Sequence, residues 1–472
     1  MLILRSYGSG INGLINSIKQ FLGCITFLEM GVGAVVQTAF YKPLADKNNR
    51  QLSEITVSAN RFFTAIAKVM LVYISVLTII YPLIINKQFD WIFTAILIVA
   101  MSVSTFSEYY FGITDRLLLT ADQKGYIFYF TQTIVIALST ILSAILIICG
   151  FDINFVKIVA SIIYLGRPII LRIYVNKTYK LNRKITYEKE PIKQKWNGIA
   201  QHIASVILTG TDTIVLTLFS SLTNVSIYSV YSLVMTGLEQ LLTAMSSGIQ
   251  ALFGELWAKR EVEHLSRVFH LVEWVVHMGV VFVFGCTTVL ILPFVKVYTR
   301  NVDDANYVVP TFALLITLAH GMYCLRIPYN AIIRAANHYK QTQFNFISSA
   351  ALNLIISIIA VRNWGLVGVA IGTLVAMTYQ TVWMAWYNSK NLINSNYMSF
   401  VKQILTDVIE FLCAYRLSCF FHCSSISYAS WIVLAIKIVI LWLFVLLLVN
   451  TIIYRDNVKK AMLIIKKKAI NK

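Results

Sequence analysis

Charge is what this sequence has least of. Only 13% of its 472 residues are Asp, Glu, Lys or Arg, about half the share usual in soluble domains, and acidic residues are the scarcer kind, 21 against 40 Lys and Arg. Proline is rare at 7 residues, so little interrupts a helix. The seven cysteines, Cys24, Cys149, Cys286, Cys324, Cys413, Cys419 and Cys423, form no C-x-x-C pair and read as small packing residues rather than redox or metal ligands. No Walker-type phosphate loop and no H-E-x-x-H pair occurs. Gly8-Ser9-Gly10-Ile11-Asn12-Gly13 fits G-x-G-x-x-G but follows no strand, which removes its nucleotide-binding sense. These absences exclude a water-soluble globular protein. A disordered chain is excluded by the 58% of hydrophobic residues, since disorder needs low hydrophobicity.

What is present is a succession of long apolar stretches. A bilayer core about 30 Å thick needs roughly 20 apolar residues per helical span, and thirteen stretches qualify: 12–41, 61–85, 91–118, 126–150, 154–175, 197–221, 225–253, 268–298, 307–335, 341–361, 365–387, 399–421 and 428–453. They are too long for barrel strands of about 10 residues. The expected fold is therefore an all-α integral membrane bundle, each helix satisfying its own backbone in lipid. The net charge of +19 then reports topology. The loops 42–61, 114–126, 172–196, 256–267, 334–340, 387–402 and 454–472 hold 28 Lys and Arg, the opposite loops only Arg5, Lys87, Arg300 and Arg362. The positive-inside rule places the first set and the C-terminus in the cytoplasm, and a nucleic-acid partner loses its support.

The chain repeats itself weakly. Adding 215 to the limits of five early stretches lands on or near five later ones: 91–118 maps to 306–333, beside the stretch 307–335, and Gly33 falls on Gly248. Both copies share one orientation, so the reading is a parallel repeat of two lobes about an axis along the membrane normal, as in secondary transporters, with a cavity between them. The expected division is an N-lobe of five complete helices at 1–175, a basic cytoplasmic linker at 176–196, a six-helix C-lobe at 197–387, and a terminal helix pair with a basic tail at 388–472. The partner of 197–221 would precede Met1, so a first helix is expected to be missing.

Ionisable and polar groups inside such spans usually face the bundle interior and mark function. Tyr228, Ser232, Thr236, Glu239, Thr243, Ser246 or Ser247, and Gln250 recur every three or four residues, one wet stripe on an apolar helix. Gln201, Ser205, Thr209 and Asp212 repeat the device on the neighbouring span. Asn12, Asn16, Lys19 and Gln20 continue it in the first lobe, with Glu29 deeper beside Gly31 and Gly33. Arg326, with His320 nearly two turns earlier, is a cation able to match phosphate oxygens. That these groups only hydrogen-bond helices to one another stays open as the alternative. His264 and His270 with Glu261 and Glu263 read as a solvated cytoplasmic turn.

Leu28-Glu29-Met30-Gly31-Val32-Gly33, Tyr41-Lys42-Pro43-Leu44-Ala45, Leu117-Leu118-Leu119-Thr120-Ala121-Asp122-Gln123-Lys124, Thr211-Asp212-Thr213, Val225-Ser226-Ile227-Tyr228-Ser229-Val230-Tyr231 and Ala251-Leu252-Phe253-Gly254 resemble, in their order and spacing over nearly the whole chain, the polysaccharide repeat-unit flippases (O-antigen, capsule, teichoic acid) of the multidrug/oligosaccharidyl-lipid/polysaccharide exporter superfamily. The resemblance implies a bacterial plasma-membrane transporter rather than an enzyme. It would have two six-helix lobes and a terminal pair, usually 14 helices, and would move an undecaprenyl-diphosphate-linked oligosaccharide by alternating access. Lys19, Arg326, Tyr228, Ser232, Thr209 and His320 are the candidates to line the substrate cavity, and Glu29, Asp212 and Glu239 those for coupling or gating. No cofactor is expected beyond a coupling proton or sodium ion. Partners would be the lipid-linked substrate, the bilayer, a polymerase and glycosyltransferases; a monomer is the default oligomeric state. The competing readings are a multidrug or small-solute antiporter of the same superfamily, a lipid-II-type flippase, and an integral membrane polymerase or acyltransferase. The short external loops disfavour the last.

Overall fold

The computed structural model describes residues 1–24, 32–85, 88–187, 190–192, 210–244 and 246–459, and among these residues there are helices and no strands. The chain divides into two compact units, Met1–Val206 and Ile207–Lys472.

The first unit contains α1 (Leu2–Cys24), α2 (Val32–Ala45), α3 (Asn49–Ile85), α4 (Trp91–Ser107), a π-helical turn at Glu108–Gly112, α5 (Ile113–Ala121), α6 (Gly125–Ile148) and α7 (Ile153–Thr178). Local chemistry sets several of these ends. Asp90 accepts from the backbone N–H of Ile92 at 3.1 Å to start α4, and Asp152 from that of Asn154 at 2.8 Å to start α7, satisfying donors that a helix start leaves orphaned. α7 packs against α4 and α6, and α3 against α4. Their outer faces stay greasy: Val72, Ile79 and Leu83 of α3 and Tyr129, Phe130 and Ile148 of α6 are exposed. In the most apolar window of α6 only 22% of residues are buried. So much apolar surface on a single helix is a liability in water and the normal state of a lipid-facing one.

The second unit contains α8 (Gly210–Phe219), α9 (Leu222–Thr243), α10 (Ser246–Ala258), α11 (Val262–Tyr298), α12 (Pro310–Leu325), α13 (Ile327–Ala335), α14 (Tyr339–Asn391), α15 (Met398–Ser418) and α16 (Tyr428–Ile453). The 53-residue α14 is two antiparallel limbs. Gly365 turns the chain with φ +51°, a left-handed value that glycine adopts without a Cβ penalty. The limbs then pair, Ser348 with Tyr379 at 3.0 Å and Asn353 with Thr373 at 3.2 Å. A Cβ on Gly368 would meet the backbone of Ala360, and one on Gly372 the Ser357 side chain, so these glycines permit the close approach.

Eight helices among the described residues are long and apolar enough to cross a membrane, and the two limbs of α14 carry the expected stretches 341–361 and 365–387. The stretch at 225–253, read as a single span, is divided between α9 and α10. The one at 307–335 is one of the eight spans, Pro310–Ala335, with a turn at Arg326 between α12 and α13. There Pro328 lies in the first turn of α13 and has no N–H to continue the preceding helix. α15 lies outside the eight apolar helices; it carries Lys402, Asp407, Glu410 and Arg416. Replacing Gly372 by leucine should force the limbs of α14 apart, lowering stability by about 1–3 kcal/mol, the usual range for overpacking, visible as a lower thermal midpoint of the purified protein in detergent.

Candidate functional site

The polar stripe expected on α9 is only partly an interior one. Tyr228 is buried, Ser232 and Glu239 are half-buried, and Thr236 is exposed. The Thr243 hydroxyl donates to the Glu239 carbonyl of its own helix at 2.8 Å, and Gln250 lies beyond the break on α10. The structure instead gathers the inward groups around Asp212 on α8, which is 3% exposed. Its Oδ2 accepts from the Tyr228 hydroxyl at 3.0 Å and from Thr373 Oγ1 at 2.8 Å. Asn353 donates to that same Thr373 oxygen. Two residues on α14 thus complete a carboxylate site seeded on α8 and α9.

This site is not closed. Asp212 Oδ1 and Asn353 Oδ1 are buried acceptors with no partner. A buried acceptor without a donor is costly, by about 1–3 kcal/mol, unless a proton, a water or a cation meets it. Among the described residues no group of three or more His, Cys, Asp and Glu is arranged to hold a metal. The donors here are all oxygens, a set that suits a hard cation such as sodium, or a proton on Asp212, rather than a transition metal.

A second pair lies within electrostatic reach. Glu239 Oε1 and His320 Nδ1 are 2.6 Å apart, joining α9 to α12, and His320 acts on the Asp212 carboxylate. Arg326, at the α12–α13 break, is 4% exposed. Its guanidinium lies 4.0 Å over the Tyr323 ring, it feels the charge of Glu239, and its Nη1 has no hydrogen-bond partner. Asp212, Tyr228, Glu239, His320 and Arg326, singled out separately in the sequence, therefore belong to one interior region of the second unit. Lys19 is exposed on α1 of the first unit, where it lies within electrostatic reach of Lys157. Ser232 stays at the edge of the α9 stripe. Glu29 and Thr209, like Gln201 and Ser205, lie outside the described residues.

Several buried and half-buried groups were not among the candidate site residues. Asn345, Ser349, Asn353 and Ser357 recur every four residues along α14 and are fully buried, a helical stripe of uncharged groups that a search for charges passes over. In the first unit Glu108, on the π-helical turn, pairs with Arg116 Nη1 at 3.0 Å and with Arg167. Asp115, fully buried, pairs with Arg172 at 3.1 Å and with Arg183 at 2.9 Å. Asp122, in the Leu117–Lys124 motif, accepts from Lys124 at 2.7 Å and from the Tyr179 hydroxyl at 2.5 Å. Partial burial of Asp122 pushes its pKa up, but these two hydrogen bonds and the Lys124 charge outweigh that and hold it below the ordinary aspartate value. The motif thus ties the α5–α6 turn to the end of α7.

These carboxylates separate by what their loss should do. Asp115→Asn leaves two guanidiniums without their counter-charge and should lower stability by about 3 kcal/mol, the lower end for broken buried pairs, because Arg172 is one-third exposed. Asp212→Asn keeps an acceptor for Tyr228 and Thr373 and should change stability by less than about 1 kcal/mol. Thermal unfolding of the two purified variants checks both.

No protein-family model matches the sequence, and no curated protein is significantly similar to it. Solved structures are similar in fold. The lipid II flippase MurJ in an inward closed conformation matches with a TM-score of 0.71 at 15% identity, over 97% of this chain and 99% of that one. An inward-facing multidrug resistance MATE family transporter of the MOP superfamily matches with a TM-score of 0.59 at 12% identity, over 82% of this chain and 94% of that one. A MATE transporter in complex with MaD3S matches with a TM-score of 0.53 at 12% identity, over 81% and 88%. The chain has the helical membrane fold shared by these transporters.

Proposed function

We propose that this protein is a flippase that moves a lipid-linked oligosaccharide across the bacterial plasma membrane by alternating access, its basic loops and C-terminus in the cytoplasm. The observation that carries the reading is Arg326: a guanidinium 4% exposed inside a membrane fold, stacked on Tyr323 and with one buried Nη1 donor unpartnered. A charge in that position is expensive, and a planar donor fork matches the oxygens of a diphosphate. The fold shared with the lipid II flippase MurJ is consistent with a flippase. The polyprenyl tail stays in lipid. The headgroup exchanges water for the hydroxyls, amides and cations of the protein, so it never meets hydrocarbon and its barrier falls.

Asp212 is the proposed coupling group. Its unpartnered Oδ1 takes either a proton or a sodium ion, with the Glu239–His320 pair in the same region of the unit. Glycosyltransferases that build the repeat unit and a polymerase that consumes it are the expected partners. The second reading, a cation-coupled multidrug antiporter, is favoured by the MATE-like fold and by the buried Asp212 and half-buried Glu239.

Deleting the gene in its host separates the two. Loss of surface glycan with lipid-linked repeat units accumulating inside, restored by the wild type and at most about one-tenth restored by Arg326→Ala, is the expected result, since a charge-assisted hydrogen bond contributes about 1.5–3 kcal/mol. Unchanged glycan with altered tolerance of cationic drugs would establish the antiporter instead.

A further inference from the structure

Helices α15 and α16 pack along α11, and the upper part of that contact is apolar. Trp442 fills the space over Gly285, where any Cβ would strike the indole, among Leu434, Ile438, Val445 and Leu446. Beside it runs a polar seam that the coupling reading does not use. Three carboxylates are buried there: Glu273 on α11, and Asp407 and Glu410 on α15, at 5%, 7% and 1% exposure.

The partners of each are distinct. Glu273 faces His270 Nδ1 at 2.9 Å and accepts from the Tyr329 hydroxyl at 2.5 Å. Asp407 faces His277 Nδ1 at 2.6 Å and accepts from the Gln403 amide at 3.2 Å. Glu410 accepts from the Asn450 amide at 2.5 Å, and Asn450 in turn accepts from the Trp274 indole at 2.6 Å. The other groups facing the seam are the phenols of Tyr397 and Tyr454, and the Lys402 ammonium lies 5.1 Å over the Tyr454 ring. Among the described residues no Lys or Arg pairs with any of the three carboxylates.

The charges therefore do not balance. Three acids meet two imidazoles, so even with both rings protonated the seam keeps one negative charge in excess. Asp407 and Glu410, three residues apart on one helix face, would both carry charge in a low-dielectric interior, where like charges repel and an uncompensated ion is costly. Glu410 has only an amide for company.

We propose that this seam is a proton-binding site: Glu410 holds one proton as a neutral carboxyl, and that proton fastens α15 and α16 to α11. His270, 35% exposed, is the member that reaches the surface, and it opens a chain through Glu273, Tyr329 and His277 to Asp407. Removing the proton leaves two adjacent carboxylates with one imidazolium between them and loosens the terminal pair. The site is separate from Asp212 and does not depend on which solute the protein moves.

Infrared spectroscopy of the purified full-length protein in lipid nanodiscs at about pH 7 tests this directly. The expected spectrum contains a protonated-carboxyl C=O band that shifts on carboxyl-13C labelling of glutamate but not of aspartate. The band disappears in Glu410→Gln and survives in Glu239→Gln. A group that takes up a proton on folding stabilises the fold in acid and loses that effect as pH rises. The wild-type thermal midpoint should therefore fall as pH rises above about 4.3, the ordinary glutamate value, relative to that of Glu410→Gln, which changes less. A wild-type spectrum with no protonated glutamate band, a test that needs no variant, overturns the proposal, as does an equal fall in both proteins.

Discussion

Lipid offers a polar group nothing to bond with, so each one within the bilayer must find its partner in the protein. That constraint orders this molecule. Where α3, α6 and α16 face outward they show Val, Ile, Leu and Phe, and where side chains turn inward they meet in matched sets. Asp115 meets Arg172 and Arg183, Glu108 meets Arg116 and Arg167, and single hydroxyls such as Thr317 and Ser418 bond back to a carbonyl one turn earlier. This set holds a lobe together, and both oxygens of Asp115 meet a guanidinium, although Arg183 Nη1 has no partner.

In the second unit more groups are left unmatched. Asp212 Oδ1, Arg326 Nη1, Asn353 Oδ1, both amide atoms of Asn345 and both of Gln380 are buried and unpartnered. Asn345 and Gln380 lie on opposite limbs of α14, about eight residues along from Asn353 and Thr373, so the unsatisfied groups are stacked at successive levels of one hairpin. Polar atoms left unmatched in so apolar a protein are the places where a ligand, an ion or water completes the structure. Asp115 has a guanidinium on each oxygen whereas Asp212 Oδ1 meets no donor, and that difference is the physical basis for proposing a structural role for the first and a transport role for the second.

The fold was largely legible because the requirement on a span, roughly 20 apolar residues, is written in composition alone. Even the α14 hairpin was separable, the two limbs reading as distinct stretches on either side of Gly365. The breaks after Thr243 and at Arg326 were not, because whether a helix continues through such a point is settled by what packs against it. Of the site, Asp212, Tyr228, Glu239, His320 and Arg326 stood out as polar residues in apolar surroundings. Asn353 and Thr373 did not, although the four-residue spacing of Asn345, Ser349, Asn353 and Ser357 was present to be read. The partners of Arg167 and His277, at Glu108 and Asp407, are 59 and 130 residues away, and no local pattern connects them.

The central claim is that Asp212 is retained for transport rather than for holding the helices together. Its most direct test is reconstitution: liposomes carrying the purified protein and a fluorescent polyprenyl-diphosphate oligosaccharide, with an impermeant quencher reporting which leaflet the headgroup occupies. The account predicts that the wild type exchanges the lipid between leaflets far faster than protein-free liposomes, and that folded Asp212→Asn does so at least about tenfold more slowly, the equivalent of 1.4 kcal/mol on the barrier. Wild-type exchange no faster than in empty liposomes, or exchange by Asp212→Asn at the wild-type rate, would contradict it.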